Sequence, residues 1–320
     1  MRRHAKPNRS LHRDLRRNGL LLVALLLGPW LSVAALAQND APVDEPRAAP
    51  GDNVARPLEF DPQSFFDMDL TGGAEESVPA EFTWIRGRYT NYGGGRNRRG
   101  GGGGGFGGRG GWWDTDFPDA ESNFLRGVQR YTNIDTNSQS HDWLDLTDPR
   151  LFEHTFLYMN MKRVPIGSTS TGPNFSAEEV EALREFMARG GFVLLDDFWG
   201  DAHLEDFQNE MVKLYPDRTL VKLDTSHELF HVFFDVDEVV QVPGRAVTWD
   251  FNGGFSLDDP DYPPAVYAIL DDDGRVMLVA NFNADLGDGW EHTFYEPYPT
   301  RYSNEAYKIA INYLIYAFTH

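Results

Sequence analysis

Residues 176–197 read Ser176-Ala177-Glu178-Glu179-Val180-Glu181-Ala182-Leu183-Arg184-Glu185-Phe186-Met187-Ala188-Arg189-Gly190-Gly191-Phe192-Val193-Leu194-Leu195-Asp196-Asp197. The opening four form a capping box, because the serine oxygen can accept from the amide of Glu179 while that glutamate reaches back to the serine amide. Val180, Leu183, Phe186 and Met187 then recur at the spacing of one helix face. Gly190-Gly191 supplies a left-handed stop, and Phe192 to Leu195 is a fully apolar run that ends in two aspartates. Capped helix, glycine stop and buried strand in this order are the grammar of a parallel α/β sheet.

The flanking sequence extends that pattern. Phe82 to Tyr89, rich in aromatic and β-branched residues, predicts a first strand, and Asp119 is placed to cap a helix from Ala120 to about Tyr131. Glu153 to Met161 contains Phe156-Leu157-Tyr158-Met159, short and apolar enough for a buried strand. Downstream, Leu204, Phe207, Met211 and Leu214 share one face of a helix from about His203 to Tyr215, and Thr219 to Leu223 reads as a strand. Val266 to Leu270 and Arg275 to Ala280 flank Asp271-Asp272-Asp273-Gly274, a hairpin turn rather than a calcium loop, which would need further ligands at fixed offsets. A helix from about Asn304 to Ala317 closes the chain.

Composition narrows the chemistry. The 320 residues contain no cysteine, which removes disulfides, thiolate metal sites and every cysteine nucleophile. Residues 1–37 carry +6 and the remainder −26, a charge that repels nucleic acid and anionic lipid. The basic start, the apolar run Leu20 to Leu27 and the triplet Ala35-Leu36-Ala37 spell a signal peptide, with cleavage expected after Ala37. The product is then secreted or periplasmic; the alternative is an uncleaved segment anchored in the inner membrane. Residues 38–80 read as a flexible acidic linker, whose Phe60 to Leu70 stretch either docks onto the body or is merely sticky. Residues 93–111 hold thirteen glycines and four arginines, a loop that cannot bury a core. The domain therefore runs over 81–320.

Several strings resemble a bacterial family known as domain of unknown function 4159. They are Phe82-Thr83-Trp84-Ile85-Arg86-Gly87-Arg88-Tyr89, Trp112-Trp113-Asp114-Thr115-Asp116-Phe117-Pro118-Asp119-Ala120, Pro149-Arg150-Leu151-Phe152 and Gly190 to Asp197. Phe207-Gln208-Asn209-Glu210-Met211, Tyr215-Pro216-Asp217-Arg218, His227-Glu228-Leu229-Phe230 and Leu286-Gly287-Asp288-Gly289-Trp290-Glu291 follow in the same order. The family is similar to class I glutamine-amidotransferase-like and trehalose-utilisation-type domains. The resemblance implies a flavodoxin-like parallel sheet with helices on both faces, to which the hairpin is an extension, and no established activity. Two departures stand out: the arginine–glycine tract replaces a shorter glycine turn, and Ser226 stands where an acid usually precedes the histidine.

Glutaminase chemistry of the amidotransferase kind needs a thiolate and is excluded. No G-x-S-x-G elbow offers a serine instead; Ser168 and Ser170 lie in a polar loop. Asp196 and Asp197 end a central strand, where open α/β sheets gather ligands. One is expected to face the cleft, as general base or hydrogen-bond acceptor, while the other caps the following turn. His227 is either their catalytic partner or a turn-holding side chain. His203 and Asp206 read as a hard-metal pair with the aspartates or as first-turn groups serving the helix dipole, and no metal or cofactor is assigned. Trp112, Trp113, Trp199, Trp290 and Tyr89, near Arg88, Asp116 and Glu291, suit stacking on a sugar or peptide; the plainer account is that indoles cover the sheet edge. The two function classes are an envelope module that binds a glycan, peptide or protein partner, and a cysteine-independent hydrolase using Asp196 or Asp197 with His227.

Overall fold

The computed structural model describes residues 80–90, 112–161, 173–244 and 263–320. Residues 1–79, with the expected signal peptide, the expected linker and its Phe60 to Leu70 stretch, the glycine–arginine tract and the string around Ser168 and Ser170 lie outside the described residues.

Seven strands make one sheet: β1 (Trp84–Arg88), β2 (His141–Asp145), β3 (Phe156–Asn160), β4 (Phe192–Phe198), β5 (Val221–Lys222), β6 (Ala265–Leu270) and β7 (Val276–Phe282). Their order is β2-β1-β3-β4-β7-β6-β5. The first five in that order are mutually parallel, and β6 and β5 follow in antiparallel pairings. The parallel strands alone follow the 2-1-3-4-5 sequence of a doubly wound, flavodoxin-like sheet, so the expected α/β class holds. The anticipated hairpin is present as β6 and β7, with Asp271 Oδ1 accepting from the amides of Asp273 and Arg275 at 3.0 and 2.8 Å. It is more than an extension, because β7 is itself the fifth parallel strand.

Among the described residues five helices cover the sheet: α1 (Asp119–Tyr131), α2 (Ala177–Ala188), α3 (Gly200–Leu214), α4 (Leu286–Glu291) and α5 (Thr300–Thr319). Side chains alternate along a strand, so each strand feeds two cores. Trp84, Phe156, Tyr158, Phe192 and Leu194 pack with α1 and α5; Ile85, Leu157, Met159, Val193 and Leu195 pack with α2 and α3. At α2 the capping box is formed, with Glu179 N donating to Ser176 Oγ at 3.2 Å and Ser176 N to Glu179 Oε2 at 2.8 Å. Gly190 takes a φ of +99°. Gly191 is needed for room, since a Cβ there would stand 2.5 Å from the Phe186 ring.

Several boundaries differ from expectation. Asp119 is the first residue of α1 rather than its cap, and no side chain caps that helix. α3 begins at Gly200, ahead of His203, because Trp199 leaves β4 in extended conformation and the helix starts at once. β2 and α4 were not anticipated. Among the described residues no helix is long and apolar enough to cross a membrane. Helix α5 is buried on most sides because residues 228–236 close over it: Asn312 accepts from Phe234 N at 2.7 Å and donates to Phe230 O at 2.9 Å.

Candidate functional site

The carboxyl ends of the parallel strands, where a doubly wound sheet meets its ligands, carry an unusual density of charge and strain. Arg86 on β1 is wholly buried beneath the last turn of the chain that leads into α1. It donates to Glu121 Oε1 at 2.5 Å, to Trp113 O at 3.0 Å and to Thr115 O. Its guanidinium lies 4.7 Å from the centroid of the Tyr158 ring. Burial alone would push its pKa down, but the Glu121 carboxylate, with Tyr158 and Asp116 beyond it, holds it above its ordinary value.

Beside Arg86 the acids gather. Asp196 is 0% exposed, and its Oδ2 accepts from Tyr158 Oη at 3.2 Å and from Gly287 N at 3.0 Å. Burial, reinforced by the neighbouring Asp197, pushes its pKa up to about 8, far above the usual carboxylate range. Asp197 is also buried; its Oδ1 accepts from Trp199 Nε1 at 3.0 Å and its Oδ2 from Asn160 Nδ2 at 3.3 Å. Asp285 accepts from Asp288 N at 2.9 Å, starting α4. Asp116, Asp285 and Asp288 each bring one carboxylate oxygen within 4.8 Å of the others. Gly287 makes this possible, for a Cβ there would stand 2.6 Å from Asp116 Oδ2 and 3.1 Å from Tyr158 Oη. Three non-glycine residues hold left-handed backbone at this edge: Asp116 (φ 65°), Asp197 (φ 62°) and Asn283 (φ 55°). Strained residues of this kind persist where surrounding contacts over-determine them, and they cluster at functional sites.

The sequence candidates are brought to this edge at different depths. Arg88, Trp199, Asp116 and Glu291 remain partly exposed, and Arg88 is paired with Asp145 at 2.5 and 2.6 Å while lying 4.3 Å over the Trp143 ring. Tyr89, Trp113 and Trp290 are buried. Trp290 is 1% exposed, edge-on to Trp84 at 5.8 Å and tilted against Phe124 at 4.8 Å. The picture of exposed indoles thus gives way to one in which α4 carries Trp290 down into the core, its ring faces covered by protein. The Trp112 side chain lies outside what is described.

His227 holds a turn: its Nδ1 accepts from Leu229 N at 3.2 Å, and the next residue, Glu228, lies 3.6 Å from His320 just past the last turn of α5. His203 Nδ1 accepts from Trp199 N at 3.1 Å, and among the described residues no metal-capable trio includes Asp196, His203 or Asp206. A groove of 560 Å³ lined by Phe82, Tyr131, Phe233 and Phe318, with Glu81 and Asp135 also on its wall, opens at the other end of β1.

Sequence reasoning missed Arg86, Asp285, Asp288 and His292 as members of this centre. The string Leu286-Gly287-Asp288-Gly289-Trp290-Glu291 held the signal, two glycines flanking an acid at the end of an apolar strand. No curated protein matches the chain. Residues 104–318, which take in every strand but β1, match the family described as domain of unknown function (DUF4159), and the chain belongs to that family.

Proposed function

We propose that the chain is an exported, cell-envelope domain that binds a polar ligand, a glycan or a peptide, at the carboxyl edge of its sheet and does not transfer amide nitrogen. The observation that carries this reading is the trio of left-handed, non-glycine residues Asp116, Asp197 and Asn283 around one group of acids. Backbone strain of about 1–3 kcal/mol per residue is retained at a place that does more than hold the fold together. The partly exposed Trp199 and Glu291 and the exposed Tyr295 supply ring faces and an acceptor of the kind that sugars and peptides meet. The export part rests on the basic, apolar and small-residue order of residues 1–37.

The test is a glycan and peptide array probed with the wild type and with Trp199→Ala/Tyr295→Ala. Loss of the bound subset in the double variant is the expected result; identical profiles, or no binding by the wild type, would overturn the assignment. Envelope fractionation with N-terminal sequencing checks the export, with a mature chain starting at Gln38 expected.

A further inference from the structure

Asp288 and Glu291 on α4 and His292 at its end occupy positions i, i+3 and i+4, which puts three side chains on one face. Each offers one ligand atom, and the three atoms lie within 4.8 Å of one another. His292 Nε2 is 3.4 Å from Asp288 Oδ1 and 3.4 Å from Glu291 Oε2. The histidine is 7% exposed, its Nε2 is shielded from solvent, and that nitrogen makes no hydrogen bond to either oxygen. A buried imidazole nitrogen aimed between two carboxylates and stopping short of both is what ligands around a shared centre look like. Two atoms each about 2.1 Å from one ion at the tetrahedral angle stand about 3.4 Å apart.

The surroundings favour positive charge. Asp288 also belongs to the trio with Asp116 and Asp285, so one acid joins two groups of ligand atoms. Gly244 packs so close that a Cβ there would stand 2.9 Å from Asp285 Oδ2.

We propose that Asp288, Glu291 and His292 hold one divalent metal ion of the Zn²⁺ or Mn²⁺ class, with Asp116 and Asp285 as an anionic wall behind it. An imidazole ligand together with carboxylates selects these ions over Mg²⁺ and Ca²⁺, which prefer oxygen alone. The ion enters from the side of Glu291, whose side chain is 28% exposed. Three protein ligands leave a coordination position for water or for a donor oxygen. The site stands on its own geometry, whether or not the edge takes a glycan or peptide.

The test uses the full chain stripped with EDTA and titrated separately with ZnCl2, MnCl2, MgCl2 and CaCl2 by isothermal calorimetry, with thermal unfolding in parallel. The wild type is expected to take up one equivalent of Zn²⁺ or Mn²⁺ and to melt at a higher temperature when loaded. His292→Ala and, separately, Glu291→Gln should weaken that binding about tenfold or more. His231→Ala, on an exposed histidine paired with Asp235, should not. Glu291→Gln removes a partly exposed charge and keeps the test informative if His292→Ala fails to fold. Absence of saturable binding by the wild type, or equal binding by the wild type and a folded His292→Ala or Glu291→Gln variant, overturns the proposal.

Discussion

On the face covered by α1 and α5 the sheet presents Trp84, Phe156, Tyr158 and Phe192, joined there by Trp290, Tyr302, Tyr307 and Tyr313; on the face covered by α2 and α3 it presents Ile85, Leu157, Met159, Val193 and Leu195. The difference follows what each side must accommodate. Arg86 and Asp196 lie in the same alternation as Trp84 and Leu194, so the strands themselves deliver a buried guanidinium and a buried acid to the first face. Tyrosines tolerate such company because a ring fills space while its hydroxyl satisfies a polar neighbour: Tyr158 donates to Asp196, and Tyr313 donates to Asn281 Oδ1 at 3.0 Å. A leucine core offers no such partner, and the second face keeps its polar contacts at its rims.

The contrast can be broken most forcefully at Arg86. Arg86→Met leaves Glu121 buried without its counter-charge and should lower the unfolding free energy by about 3–5 kcal/mol in urea titrations; adding Glu121→Leu should restore a large part. A loss under 1 kcal/mol, the scale of an exposed pair, would show that the aromatic face does not depend on this charge. On the opposite face, Leu183→Ala should cost about 3 kcal/mol through a cavity. Its effect should add to that of Arg86→Met, because the sheet separates the two sites; strong coupling between them would mean the two cores are one.

The last effect is read as a slope against pH rather than as a single step. Asp196 has a folded pKa of about 8 against an ordinary 3.8, so between those values the folded chain keeps a proton that the unfolded chain releases. Stability should therefore be greatest at the acid end of this window and fall as pH rises towards 8, by at most about 1.4 kcal/mol per unit. Asp196→Asn, measured by thermal unfolding in EDTA, should flatten that fall; an unchanged slope would place the titration elsewhere.

How much of this was legible in the sequence varies by element. Residues 176–198 were readable because the capping box, the glycine stop and the apolar run each act locally and agree with the sheet that forms around them. β2 was not, since His141-Asp142-Trp143-Leu144-Asp145 is a short edge strand whose polar residues hide its period. α4 escaped notice because Gly287 and Gly289 oppose helix formation in a six-residue segment; tertiary packing against Asp116 and Ala306 explains them. Asp196 and Asp197 were found by position alone, at the end of a buried strand. Their partners Asn160, Tyr158 and Gly287 come from 37, 38 and 91 residues away, a proximity that no local pattern encodes. The depth of Trp113 and Trp290 was equally hidden, since an indole at a strand end looks the same whether a short helix covers it or solvent does.

A sheet seven strands wide has two rims, and both are poor templates for another molecule's strand. β5 contributes only two paired residues, and β2, five residues long, bears Asp142 and Asp145. An incoming strand would find too little backbone on one side and like charge on the other, because the body it came from is itself strongly anionic. Crowded copies of this domain are thereby kept from zipping together through their sheets, and any assembly they form must use other surfaces.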